Sequence, residues 1–171
     1  MVIIIYMLKI KLRPQKISDA KRFYEILNNS NFIYFGAQPK SIADEKKWLR
    51  GNAKRQKDNT AWNYAIVYDG KTVGGIGVKI NYHRKYVGEI GYFIDEKYWG
   101  KSIASHAVKL VEAICFKRLK LMRIEILMQP ENIASKKVAI KNGYLREGRL
   151  RKVFRSKEGK MKDCYLYAKV L

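Results

Sequence analysis

The chain has 171 residues, of which 47% are apolar and 30% charged, and its formal net charge at pH 7 is +21. A chain of this length can fold as one compact domain with a continuous core and room for a small-molecule cleft. Twelve glycines and three prolines are too few for a fibrous or disordered protein. We therefore expect a single globular domain over residues 1–171.

The strong positive charge attracts polyanions, such as RNA, the ribosome or a phosphate-bearing cofactor, and disfavours free polyamines. The lysines and arginines are spread along the whole chain. A lysine-rich solvated surface therefore explains the charge as well as a dedicated nucleic-acid site does. The two cysteines, Cys115 and Cys164, cannot build a disulfide framework, which favours a cytoplasmic protein.

The first eight residues are apolar, but Lys9 interrupts the run far short of a membrane span, and no basic segment precedes it as in a signal peptide. We interpret this segment as a β-strand and expect no association with a membrane. From residue 8 to residue 13 apolar and basic residues alternate, which predicts an opening strand.

Two helices are predicted next. Ser18 and Asp19 can cap a helix that runs to about residue 28, and a second helix begins near Ser41, which forms a plausible cap with Asp44 and is followed by Trp48, expected in the core. Three β-rich runs follow, at residues 62–68, 71–82 and 87–94. The dipeptide Asp69-Gly70 between the first two suits the positive φ angles of a tight hairpin, so the runs predict an antiparallel meander.

In the second half of the chain, helical and strand patterns alternate. We predict a helix over residues 102–119 with Leu110 on its apolar face, a strand over 123–128, a helix over 134–142 ended by Gly143, and strands over 144–154 and 161–170. A meander followed by crossover helices predicts an α/β fold, with a central mixed sheet of about seven strands flanked by about four helices. The ligand cleft is expected where residues 87–94 lead into the long helix.

The turn before this long helix reads Lys97-Tyr98-Trp99-Gly100-Lys101-Ser102. The first N–H groups of a helix lack internal partners and lie at the positive end of its dipole, so they can bind phosphate oxygens. Gly100 allows the backbone to approach a ligand closely, and Lys97 or Lys101 adds charge. The turn lacks the additional glycines of a P-loop or of a dinucleotide-binding fingerprint. A plain strand–glycine–helix connection remains the alternative.

Five motifs occur in order along the chain: GEIGY at residues 88–92, YWGK at 98–101, RIE at 123–125, PENIAS at 130–135 and GYLREG at 143–148. With these motifs the chain resembles the GNAT superfamily of acetyltransferases over nearly its whole length, especially the ribosomal-protein N-terminal acetyltransferase branch. The resemblance implies a GNAT-type acyl-CoA N-acyltransferase fold. It also implies an enzyme that transfers an acetyl group from acetyl-CoA to a primary amine, by direct attack in a ternary complex. A protein N-terminal α-amine and a small-molecule amine both remain open as the acceptor.

The resemblance assigns the turn to the CoA pyrophosphate. In the superfamily this loop usually reads Gln/Arg-x-x-Gly-x-Gly/Ala, whereas here Lys97 stands at the first position and Ser102 at the last. We expect weakened or altered binding, because a serine hydroxyl can still cap the helix or donate to phosphate. The pantetheine arm would lie as an extra strand beside residues 92–94. The expected cofactor-binding residues are Tyr92, Phe93, Ile94, Lys97, Trp99, Gly100, Lys101, Ser102, Ile103, Ala104 and Asn132.

Acyl transfer to an amine needs a deprotonated amine, a polarised thioester carbonyl and the two centres within attack distance. The resemblance implies Glu89 as the base; the alternative is a surface or salt-bridged carboxylate, whose pKa surrounding cations would lower. Ser135 matches a position proposed to protonate the departing thiolate. The tyrosine that many other superfamily members have seven residues after Asn132 is Ala139 here. Ser135 and water both remain open as the proton donor.

No metal is expected, because His83 and His106 do not lie at metal-ligand spacing with any cysteine or carboxylate. One alternative function is a non-catalytic basic module that binds RNA or the ribosome on the same fold, and the departures at Ser102 and Ala139 favour it. For an enzyme, the positive charge favours an acidic N-terminal peptide or a nucleotide-linked amine over a polyamine. We also expect association with the ribosome or RNA and a homodimer.

Overall fold

The computed structural model describes residues 10–36, 38–156 and 158–171. The strand predicted over residues 1–8 lies outside this part of the chain. The strands are β1 (Ile10–Pro14), β2 (Ala61–Tyr68), β3 (Lys71–Ile80), β4 (Val87–Ile94), β5 (Arg123–Met128), β6 (Leu145–Arg155) and β7 (Met161–Val170). The helices are α1 (Ala20–Leu27), α2 (Ile42–Arg50), α3 (Asn52–Lys57), α4 (Ile103–Ala113) and α5 (Ile133–Lys141).

The seven strands form one mixed sheet in the order β1-β2-β3-β4-β5-β7-β6. Every neighbouring pair is antiparallel except β4 and β5, which run parallel. The predicted α/β fold with a mixed sheet is therefore confirmed. Helix α3 was not predicted, because its sequence, NAKRQK, has no apolar stripe.

The predicted turn chemistry is largely confirmed. Asp69 and Gly70 have φ angles of 47° and 76°, the positive values of a tight hairpin, and Gly143 after α5 has a φ angle of 78°. The Ser41 hydroxyl accepts the Asp44 N–H at 3.1 Å, so the cap of α2 is also confirmed. The predicted capping role of residues 18 and 19 is wrong.

Asp19 has helical backbone angles and does not cap α1 with its side chain. Its carboxylate accepts the Lys16 N–H at 2.8 Å and forms an ion pair with Arg13 at 2.6 Å. Asp19 is nearly buried, so this pairing satisfies a charge that would otherwise be costly to remove from water. The residue therefore links β1 to the start of α1.

Apolar side chains pack on both faces of the sheet. Helices α4 and α5 cover the face with the larger core, while α1 and α2 cover the other face around a smaller cluster, in which Phe23 and Leu49 are buried. Leu110, predicted on the apolar side of α4, is 41% exposed, and α4 continues beyond Ala113 as a π-helical turn, Ile114–Arg118. Ligands can reach the sheet only where these helices leave it uncovered.

Candidate active site

Strands β4 and β5 form an opening in the middle of the sheet. They pair only at their first three residues, where Val87, Gly88 and Glu89 lie opposite residues 123–125. Within the described residues no ladder continues beyond Glu89, although β4 stays paired with β3 and β5 with β7. The two parallel strands therefore separate toward their carboxyl ends and leave a gap between them.

The backbone of β4 offers hydrogen-bonding groups to this gap. The Asp95 N–H donates to the Val73 carbonyl at 2.8 Å, which makes Ile94 a member of a non-hydrogen-bonded pair with β3. Because antiparallel bonding alternates, the N–H and C=O of Tyr92 and Ile94 point away from β3 and into the gap. Those of Phe93 point toward β3. Two of the three expected backbone partners of the pantetheine arm thus line the gap, and Phe93 does not.

The predicted phosphate turn lies at the end of β4. The Asp95 carboxylate accepts the Lys97 N–H at 3.1 Å and is ion-paired with Arg22 of α1. The indole N–H of Trp99 donates to the Ile94 carbonyl at 2.8 Å. These bonds hold both ends of the turn against the sheet, and they leave Lys97 without a carboxylate partner within 4.0 Å in the described part of the chain.

The last residues of the turn have left-handed backbone angles: φ is 75° at Gly100 and 57° at Ser102, and α4 begins at Ile103. The Ser102 hydroxyl does not cap α4, so the expected capping role of this residue is wrong. It accepts instead from Lys141 Nζ at 3.0 Å. The first N–H groups of α4 are therefore not occupied by the Ser102 side chain, and helix geometry leaves them without internal acceptors.

Lys141 is a candidate phosphate-binding residue that sequence reasoning missed. It lies at the end of α5, and the packing of α4 against α5 places its ammonium group beside the phosphate turn. Lys101 lies over the Tyr98 ring at 5.1 Å in the same turn. Lys97 also belongs to the turn, so three lysines lie on segments next to the N-terminus of α4, and of these Lys141 contacts Ser102 directly.

The predicted cofactor and acid residues of the next loop come together with β4. The Asn132 side-chain oxygen accepts the Ser135 N–H at 3.0 Å and caps α5. The Ser135 hydroxyl lies 2.8 Å from the Tyr92 hydroxyl. Burial raises the pKa of Tyr92 to about 12, although its bond to Ser135 opposes the shift. Ala139, at the position of the absent tyrosine, is fully buried.

Glu89 lies on the opposite face of β4 from Tyr92, because side chains alternate along a strand and these residues are an odd number apart. Its side chain is exposed, and none of the described cations lies within ion-pairing distance. Crowding by protein atoms nevertheless raises its pKa, Lys79 across the strand pair lowers it, and Glu125 raises it further. No salt bridge is therefore seen at Glu89 among the described residues, and its roles as a base and as a plain surface carboxylate both stay predictions.

The Glu89 face contains two features that the sequence did not reveal. Glu45 of α2 is 6% exposed, and burial raises its pKa; no described cation pairs with it. Phe93 packs edge-on against Phe23 at 5.2 Å between ring centres and is also close to Phe35 at 5.7 Å. Trp48, expected in the core, is 43% exposed. This face therefore combines a cluster of phenylalanine rings, of which Phe23 is buried, with an unpaired carboxylate among the described residues.

Among the described residues, no group of three or more histidine, cysteine, aspartate or glutamate side chains is arranged to hold a metal ion. None of the described helices has the length and apolar character needed to cross a bilayer.

Comparison with known proteins defines the class. Residues 9–145 match the family model described as an acetyltransferase (GNAT) domain, so the chain belongs to the GNAT acetyltransferase family. It is 31% identical over 154 residues to a Bacillus subtilis protein named "Probable N-acetyltransferase YjcK", with 84% of each chain covered. The fold matches Mycobacterium smegmatis RimJ in complex with CoA-disulfide, with a TM-score of 0.86 at 22% identity, covering 94% of this chain and 81% of RimJ.

Two further relatives from Escherichia coli act on different acceptors. The chain is 27% identical to ribosomal-protein-serine acetyltransferase, with 77% of this chain and 73% of the relative covered. It is 28% identical to spermidine N(1)-acetyltransferase, with 82% and 75% covered. The chain is thus an N-acetyltransferase that uses acetyl-CoA. This finding favours an enzyme over the alternative of a non-catalytic module that binds RNA or the ribosome.

Proposed function

We propose that the chain acetylates the α-amine at the N-terminus of a protein or peptide, by direct attack of that amine in a ternary complex. The observation that carries this proposal is the arrangement around β4. Glu89 lies on one face of the strand and the Tyr92–Ser135 hydroxyl pair on the other, both next to the gap. A base and a proton donor on two sides of one opening suit an amine that enters from one side and a thiolate that departs on the other.

The choice of a protein amine has two supports. Relatives are named for ribosomal-protein acetylation, and the charge of +21 repels cationic polyamines. The spermidine relative makes a polyamine the competing acceptor. Association with RNA or the ribosome, a homodimer and a cytoplasmic location stay predictions.

Acetyl-CoA supplies the acetyl group as an activated thioester. The residues present fit this cofactor: Tyr92 offers free backbone groups to the gap, and the N-terminus of α4 offers the N–H groups of Ile103 and Ala104. Lys97, Lys101 and Lys141 supply positive charge for a pyrophosphate. Asn132 uses its side-chain oxygen as a helix cap and keeps its amide N–H groups for a ligand.

Two proton transfers follow from the geometry. Glu89 accepts the proton of the attacking amine, directly or through one water molecule. Its raised pKa makes it a stronger base than an ordinary surface carboxylate. On the other face of β4, Ser135 donates a proton to the departing thiolate, and the Tyr92 hydroxyl beside it can restore that proton.

An acceptor panel tests the proposed function. The purified chain is incubated with acetyl-CoA and either peptides with a free N-terminus, the same peptides with a blocked N-terminus, or spermidine. Mass spectrometry then locates the acetyl group. We expect acetylation at the α-amine and none on the blocked peptides. Exclusive acetylation of lysine side chains or of spermidine would contradict the proposal.

A further inference from the structure

A cavity of about 340 Å³ lies on the Glu89 face of the sheet, beneath α2 and α3. It is separate from the phosphate turn, which lies at the other end of β4 and serves the opposite face. Its lining combines an exposed indole, two cations and small polar groups: Trp48, Arg55, Thr60, Ala61, Asn63 and Lys79.

Neutral partners hold Arg55 in place. Its guanidinium stacks over the Trp48 ring at 4.5 Å, and Nη1 donates to the Trp48 carbonyl at 2.9 Å and to the Asn52 side-chain oxygen at 2.8 Å. No described carboxylate lies within 4.0 Å of Arg55 or of Lys79. The cavity therefore holds an oriented arginine without a carboxylate partner among the described residues, next to Lys79, which faces Glu89 across the strand pair without forming an ion pair with it.

Strand register connects the cavity with Glu89. Ala61 in the cavity lies opposite Lys79 of β3, and Lys79 lies opposite Glu89 of β4. Neighbouring strands are about 4.8 Å apart, so Ala61 at the far side of the cavity floor and Glu89 are separated by two strand spacings, roughly 10 Å. Gly91, two residues beyond Glu89, has open space above it, because a Cβ built there meets no atom within 4 Å. Among the described residues, the face of the sheet between Ala61 and Glu89 carries only Lys79, and the surface beside Glu89 at Gly91 is open.

We propose that this cavity is an anion-binding subsite for the acceptor: it holds a carboxylate of the acceptor while the amine lies at Glu89. The inference rests on the proposed function and narrows it. An extended peptide advances about 3.3 Å per residue, so roughly 10 Å corresponds to an acidic side chain near the third residue of the N-terminus. A phosphate at the same distance from a small-molecule amine presents the same chemistry.

Kinetics with matched peptides test the subsite. Three peptides differ only in having Glu, Gln or Lys at the third residue, and a phosphate-bearing primary amine forms a separate arm. We expect kcat/KM to be roughly tenfold higher for the Glu peptide than for the Lys peptide, mainly through KM. Lys79→Glu and Arg55→Gln should abolish this preference. Lys117→Glu changes the charge as much as Lys79→Glu does, but on the opposite face of the sheet, and should leave the preference intact.

Equilibrium binding separates a failure of the subsite from a failure of the proposed function. The N-acetylated Glu and Lys peptides are titrated into the chain with CoA present, and thermal unfolding verifies that each variant is folded. Tighter binding of the Glu peptide that is lost in Lys79→Glu supports the subsite even if turnover is slow. Equal affinities, or equal losses in Lys79→Glu and Lys117→Glu, would overturn it. A preference shown only by the phosphate-bearing amine would identify phosphate as the natural anion.

Discussion

The hydroxyl groups of Tyr92 and Ser135 lie 2.8 Å apart and join the free edge of β4 to the first turn of α5. Ser135 is itself fixed, because its N–H is bound by Asn132. The side chain at the position of the missing tyrosine, Ala139, is buried and carries no hydroxyl. A phenol from the sheet therefore lies beside the proposed donor, although α5 offers none at the usual position.

This pair can be tested by a double-mutant cycle. Tyr92→Phe and Ser135→Ala should each lower kcat by roughly tenfold or more, because each removes one member of the proton-donating pair. The double variant should lose little more than either single variant, since the two hydroxyls act as a unit. Steady-state kcat and the Kd for acetyl-CoA are the measurements. Strictly additive losses would show that the hydroxyls act independently.

Glu89→Gln tests the proposed base. Turnover should fall by about 10²-fold or more, while the Kd for acetyl-CoA should change little. A base works only when deprotonated, so the activity of the unmodified chain should rise with pH through the Glu89 pKa, which loss of hydration beside neighbouring protein atoms raises above its ordinary value. This rise should be absent in Glu89→Gln.

Glu125→Gln is the matched control for this experiment. Glu125 raises the pKa of Glu89, so its replacement should shift the rise in activity to lower pH without removing it. Arg123, which pairs with Glu125, keeps a second partner in Glu147. An unchanged pH profile in Glu89→Gln would assign amine deprotonation to another group.

Lys141→Gln tests the assembled phosphate site. Loss of the ammonium group beside Ser102 should weaken acetyl-CoA binding several-fold, and the deficit should shrink at high salt because the lost contribution is electrostatic. Lys137→Gln, at an exposed position on the same helix, is the control and should bind normally. Isothermal titration at two salt concentrations measures both effects. Equal affinities for the two variants would exclude Lys141 from the site.

Glu45→Gln should stabilise the fold at neutral pH. Burial raises the pKa of Glu45 in the folded chain, so the native state favours the protonated carboxyl. Below the pKa that Glu45 has in the unfolded chain, the carboxyl is protonated in both states and its burial does not lower the free energy of unfolding. As pH rises through the pKa that Glu45 has in the folded chain, the buried carboxylate lowers the free energy of unfolding. The amide avoids this penalty, so the Glu45→Gln variant should have the higher free energy of unfolding at pH 7. Urea unfolding at pH 7 and pH 4 should show the gain only at pH 7.

Local patterns predicted most elements well. The predicted bounds of β4 and β5 agree with the structure residue for residue, because each apolar run is limited by polar turn residues. The resemblance proposes Glu89 as base and Ser135 as proton donor, and these roles stay predictions; the odd spacing of Glu89 and Tyr92 already implies opposite faces of β4. These features depend only on neighbours in the sequence.

The remaining features depend on tertiary packing. The contact between Lys141 and Ser102 exists only because α4 packs against α5, 39 residues away along the chain. Glu45 is buried and Trp48 exposed, the reverse of what their side-chain chemistry suggests, because the rotation of α2 on the sheet decides which side chains face inward. The orientation of the Phe93 backbone likewise follows from the register with β3.

In the described part of the chain only three residue pairs join β4 to β5, so the sheet consists of two halves, β1 to β4 and β5 to β7, connected by a short paired segment that we call the clasp. Beyond the clasp, peptide groups on both inner edges have no partner strand among the described residues, and in water they would exchange their amide hydrogens readily. A molecule that binds between these edges would form hydrogen bonds with the unpaired peptide groups and connect the two halves of the sheet. Occupancy of the cleft should therefore be visible as slowed hydrogen exchange at the amides of Tyr92 and Ile94.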